Sequence, residues 1–173
     1  MKKLLFLLAL FTFKGHAAFT LDLTDPKNLE VADMYPSYEL LRSLSFEDTG
    51  DSAMFGFKLD KSSEIWDTIF VASISANMDG KQKVYIYLAL KCSDKDEKFE
   101  QSTHKTNGQN VRYYRFCDGN NVYMTPVSKA GDNYLVNEFK KKDNVSFEFP
   151  DIRVIFDAAG FTKRWNSYGG DAL

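Results

Sequence analysis

Few side chains in this 173-residue chain have the types and spacing that chemistry requires. Past residue 17 there is one histidine, His104, and one pair of cysteines, Cys92 and Cys117. A serine or cysteine nucleophile would need His104 as its base, held rigidly beside it. The flanking residues, Gln101-Ser102-Thr103 and Lys105-Thr106, are polar throughout, the setting of an exposed loop histidine. A zinc site would have to join His104 to carboxylates alone, a rare ligand set. Asp94, Asp96 and Glu97 lack the glycine-containing spacing of a calcium loop. A glycosidase needs only two acids at a fixed separation, and Glu148 and Asp157 lie on predicted strands. Nothing marks them as a pair, and Glu148 alternates with Phe147 and Phe149 toward solvent. The expectation is a protein that binds rather than catalyses, with no catalytic set, no metal site and no cofactor.

The cysteines lack the Cys-x-x-Cys spacing that lowers a thiol pKa for redox work. In an oxidising compartment an isolated pair joins as a structural disulfide. Closing a loop of roughly 26 residues is worth about 3–4 kcal/mol by chain entropy. A possible recognition element is aromatic. Tyr85 and Tyr87, with Tyr113 or Tyr114, are spaced to form a surface strip that stacks on a sugar or a partner strand.

The start of the chain bears on its destination. Met1-Lys2-Lys3 precedes an apolar run from Leu4 to Phe13, and Gly15-His16-Ala17-Ala18 offers small residues for cleavage after Ala17 or Ala18. That layout is a bacterial secretory signal over residues 1–17. The run is about half the roughly 20 residues a membrane span requires. Residues 18–173 then form one domain, periplasmic or secreted. The whole chain has 22 basic and 24 acidic residues, and the signal removes three lysines and no acid, leaving a mildly acidic body. Nucleic acid is a poor partner for such a surface. Lys140-Lys141-Lys142, between Glu138 and Asp143, reads as a solvated helix end.

The elements that must position these residues are mostly strands. Phe19 to Leu23 alternates as an edge strand, and the leucines at 40, 41 and 44 suggest a short helix. Strands are expected around Phe55-Phe57-Leu59 and over Trp66 to Ala76. After the Asn77-Met78-Asp79-Gly80 turn, Val84, Ile86, Leu88, Leu90 and Cys92 share one face. Residues 93–109 read as a long polar loop. Strands resume at Val111–Cys117 and Val122–Thr125 around the Asp118-Gly119-Asn120-Asn121 turn. Asp132 is placed to cap a helix carrying Leu135, Val136 and Phe139. Val145-Phe147-Phe149 and Ile152-Val154-Phe156 form a last strand pair.

The disulfide constrains the topology. In a simple hairpin of 84–92 with 111–117 the sulfurs would be roughly 20 Å apart, whereas a bridge needs Cα atoms within about 7 Å. The strands therefore run in the same direction, or lie on facing sheets, or end irregularly. Facing sheets are favoured: a small antiparallel β-sandwich with one or two short helices.

The succession from Cys117 through a polar turn, Tyr134-Leu135-Val136-Asn137-Glu138-Phe139, two strands, and Gly160-Phe161-Thr162 resembles the invasion-associated locus B family of small secreted bacterial proteins. The resemblance covers about 55 residues and implies a β-sandwich of periplasmic or surface location. It assigns no functional residue. The functional expectation is a periplasmic or secreted binding protein whose partner is another protein of the envelope, as an inhibitor, immunity or envelope-accessory protein. Alternatives are a subunit of a surface or secretion structure, or a carboxylate-dependent hydrolase of envelope polysaccharide.

Overall fold

A computed structural model describes residues 21–22, 39–58, 68–89, 92, 100–149 and 152–169. The strands are β1 (Leu21–Asp22), β2 (Glu39–Leu44), β3 (Ser52–Lys58), β4 (Thr68–Ala76), β5 (Gln82–Leu88), β6 (Glu100–Thr106), β7 (Gln109–Cys117), β8 (Val122–Pro126), β9 (Asn144–Glu148) and β10 (Ile152–Asp157). Among the described residues three helices accompany them: α1 (Phe46–Thr49), α2 (Lys129–Lys141) and α3 (Phe161–Ser167). The strands form one sheet in the order β1-β10-β9-β6-β7-β8-β5-β4-β3-β2. Every pairing is antiparallel except β1 with β10. The mainly antiparallel β class with short helices and one disulfide is as the sequence predicts. Its facing layers belong to a single sheet that curls until β10 packs against β2 and β3.

Alternation builds the interior. Ala53 and Phe55, Phe70, Ala72 and Ile74, Val84 and Ile86, Val111 and Tyr113, and Val145, Phe147 and Phe149 are all buried at every second position. Aromatic rings fill the space in two groups. Phe147 contacts Tyr113 at 5.2 Å and Phe149 at 4.7 Å, and Phe149 reaches Phe70 at 4.9 Å. Where the helices gather, Phe46 meets Phe161 at 5.0 Å and Phe139 at 5.8 Å, both edge to face, the arrangement the ring quadrupole favours.

Three expectations are corrected. Residues 39–44 are strand, not helix: the register against β3 shifts between Leu41 and Leu44, so one extra residue breaks the period of two that marks a strand. Glu100–Thr106, within the expected polar loop 93–109, is strand β6; residues 93–99 lie outside the described residues. The reason is the Asn107-Gly108 turn, with φ of 46° and 80°, which closes β6 onto β7 as a two-residue hairpin. Asn107 also accepts hydrogen bonds from the Ser146 backbone N–H (2.8 Å) and hydroxyl (3.1 Å), and donates to Glu138 at 2.7 Å, so one turn residue joins β9 and α2. The cap of α2 is Ser128, whose hydroxyl accepts from the Gly131 N–H at 3.1 Å. Asp132 instead sits in the first turn and pairs with Lys83 at 2.7 Å.

Helix α1 is short and held by a capping box, the Ser45 hydroxyl and Asp48 carboxylate each serving the other's backbone N–H. It rests on the turn before α3, where the Glu47 N–H donates to the Ala159 carbonyl at 3.2 Å. Gly160 makes that approach possible. Its φ is +81°, and a Cβ there would lie 2.5 Å from Glu47 Cγ and 2.9 Å from its backbone nitrogen.

Candidate binding surface

Strand β8 lies between β5 and β7 and sets their outward side chains in rows. The registers Tyr87↔Tyr123 and Phe116↔Tyr123 make one row across three strands, and Tyr114, opposite Thr125, makes the next with Tyr85, which lines the same groove. Alternation sends these residues outward because Ile86, Tyr113 and Met124 point into the core. Phe116 stacks on Tyr123 with centroids 5.0 Å apart and planes at 10°. Tyr87 and Tyr123 are 5.2 Å apart, and Tyr85 meets Phe116 edge-on at 6.4 Å. All five rings are half-buried. The β4–β5 turn overhangs this surface, closing an open groove of about 600 Å³ lined by Asn77, Met78, Asp79, Tyr85, Tyr114, Phe116 and Thr125. Met78 at its lip is fully exposed.

Carboxylates border the rings. Asp79 lines the groove. Asp118 accepts from the backbone N–H groups of Asn120 (2.9 Å) and Asn121 (2.7 Å) in its turn. These bonds, the Asn120 one foremost, together with those from the Asn121 side chain and the Tyr123 hydroxyl, lower its pKa to about 2. Desolvation raises the pKa of Tyr85, Tyr87 and Tyr123, and the charges of Asp132, Asp51 and Asp118 respectively add to it. The phenols are thus neutral hydrogen-bond donors at physiological pH.

Of the predicted strip, Tyr85, Tyr87 and Tyr114 come together. Tyr113 does not: it is fully buried on the inner face, its hydroxyl 2.6 Å from the equally buried Thr106 hydroxyl. Burial drives its pKa upward. Phe116 and Tyr123 belong to the surface but were absent from the predicted strip. Phe116 follows Tyr114 by two on the same strand face, a signal present in the sequence. Tyr123 joins only because β8 inserts between two distant strands.

Cys92 and Cys117 are bonded, with Cα atoms 6.1 Å apart. Both β5 and β7 run antiparallel to β8, hence in the same direction, and the bridge crosses the start of β8 between them. Ala17 and Ala18 lie outside the described residues. Glu148 and Asp157 are not brought together. Glu148 stands opposite Arg153 and Asp157 opposite Asn144, about 13 Å apart along the strand, beyond the roughly 9.5 Å of a glycosidase pair. Glu148 lies within ion-pairing reach of Lys105 (3.8 Å) and Arg153 (4.0 Å).

His104 is not an exposed loop residue. It is half-buried on β6, stacked on Phe147 at 5.3 Å. Its Nδ1 lies 3.1 Å from the Glu148 carbonyl oxygen and its Nε2 2.8 Å from Ser102 Oγ. A carbonyl only accepts, so Nδ1 carries the proton and Nε2 accepts from the Ser102 hydroxyl. Desolvation lowers the His104 pKa, outweighing the Glu148 bond, and both ring nitrogens are satisfied within the fold.

Among the described residues no cluster of three or more His, Cys, Asp or Glu could hold a metal, and no helix is long and apolar enough to cross a membrane. Comparison with protein-family models, curated proteins and solved structures finds no match to this chain.

Proposed function

We propose that this is an exported binding protein that holds another envelope protein against the outer face of β5, β8 and β7, as an inhibitor, immunity or envelope-accessory protein. The observation that carries this reading is the double row of Tyr85, Tyr87, Tyr114, Phe116 and Tyr123 beside an exposed methionine. Contiguous aromatic surface left partly open to water is costly, and such patches mark interaction sites. Tyrosine supplies large contact area at low entropic cost and is enriched among residues that dominate binding energy. The charged stub and short apolar run of residues 1–13 support export, and the Cys92–Cys117 bond fits an oxidising compartment.

The test is affinity capture from envelope extract with the wild-type chain and with Tyr87→Ala/Tyr123→Ala, both verified as folded by circular dichroism. A partner held by the wild type and lost, by about ten-fold or more, in the variant supports the reading. Equal recovery by both, or no specific protein with either, rejects it. Mass spectrometry of the protein from its host should find cleavage after Ala17 or Ala18.

A further inference from the structure

The aromatic face also constrains what its partner is made of, and this step rests on the binding reading above. We infer that the segment seated on this face is cationic: a stretch of polypeptide carrying lysine or arginine among apolar residues. The groove itself argues for it. A saccharide would draw on amides and hydroxyls around the rings, and apart from the phenols themselves the acceptor of Asn77 and the hydroxyl of Thr125 are already used. The Asn77 side-chain oxygen accepts from the N–H groups of Asp79 (3.0 Å) and Lys81 (2.8 Å), and the Thr125 hydroxyl donates to the Val84 carbonyl at 3.3 Å.

What the groove presents outward is ring faces and negative charge. Asp79 lines it and Asp118 holds the Tyr123 hydroxyl. The cations flanking the strip are Lys81, at the end of the β4–β5 turn, Lys83, already paired with Asp132, and Arg112, one row beyond Tyr114. Aromatic faces attract ammonium and guanidinium groups, and a carboxylate rim attracts the same ions over a distance set by salt. Both features select one sign of charge.

The test pans a displayed library of random dodecapeptides against the full chain and measures selected peptides by fluorescence polarisation. Enriched sequences should combine Lys or Arg with apolar residues. Their binding should weaken about ten-fold in Tyr87→Ala/Tyr123→Ala and about three-fold in Asp79→Asn/Asp118→Asn, with a further decline as sodium chloride rises. Asn at 118 keeps an oxygen for the turn, so this variant tests charge rather than folding. Enrichment of neutral or acidic peptides that still require the tyrosines would overturn the cationic partner and leave the binding face standing. Peptides indifferent to the tyrosines, or no enrichment above background, would overturn both.

Discussion

Which of the adjacent residues Tyr113 and Tyr114 faces outward decides where the proposed binding surface lies, and a double-mutant cycle can read it from stability. Tyr113 and Thr106 are both fully buried, with their hydroxyls 2.6 Å apart. Tyr113→Phe removes one oxygen and little volume, leaving the Thr106 hydroxyl stranded in a water-free interior. An unpaired buried group of this kind costs about 1–3 kcal/mol. Thr106→Val, nearly isosteric, strands the phenol instead at a similar cost. Making both changes leaves no unpaired hydroxyl, so the double variant should lie within about 1 kcal/mol of wild type. The two single losses sum to about 2–6 kcal/mol, so the coupling is at least about 1 kcal/mol, above the roughly 0.5 kcal/mol within which independent sites add. The Tyr134 hydroxyl, which donates to the Thr106 carbonyl at 2.9 Å, survives in every variant. Urea unfolding of the four proteins supplies the free energies. Additive losses would show that the hydroxyls do not meet, and the β6–β7 register that turns Tyr114 outward would fall with them.

Two further expectations concern the fold that carries the surface. Replacing Cys92 and Cys117 together by alanine should lower stability by about 3.5 kcal/mol, the chain-entropy value for this loop; a urea-derived loss below about 1 kcal/mol would mean the staple constrains little. For His104, the folded-state pKa lies below its ordinary 6.5. The unfolded chain therefore takes up the proton first as pH falls. Its contribution is complete above about pH 6.5 and is lost as pH drops through the depressed folded-state value. Urea midpoints of wild type and His104→Gln between pH 8 and 5 should converge toward acid, and parallel curves would contradict the assignment.

What the sequence reveals depends on whether a strand has one wet face. β5 is legible because Val84, Ile86 and Leu88 alternate with tyrosines and lysine, and β9 because Val145 and Phe147 alternate with Asn144, Ser146 and Glu148. β6 is polar on both faces, so hydrophobic periodicity is silent there, yet Asn107-Gly108 still encodes the hairpin that makes it a strand. The bulge in β2 counterfeits a helical spacing of leucines. In the site, Tyr85 and Tyr87 follow from alternation alone. The pairing of β8 with both β5 and β7 is a nonlocal outcome, and it is what brings Tyr123 between Tyr87 and Phe116.

The closing contacts of the sheet have a consequence for how the molecule comes into being. Strand β1 lies on β10, and α1 on the turn that precedes α3. A chain delivered head first, from a ribosome or through a pore, exhibits Phe46 and the β2–β4 edge long before residues 152–161 arrive to cover them. Such distant pairings slow assembly and leave sticky intermediates, so a handling factor has a defined window in which to act. Truncation before β10 would yield an unrolled sheet with its aromatic lining on show, rather than a smaller working protein.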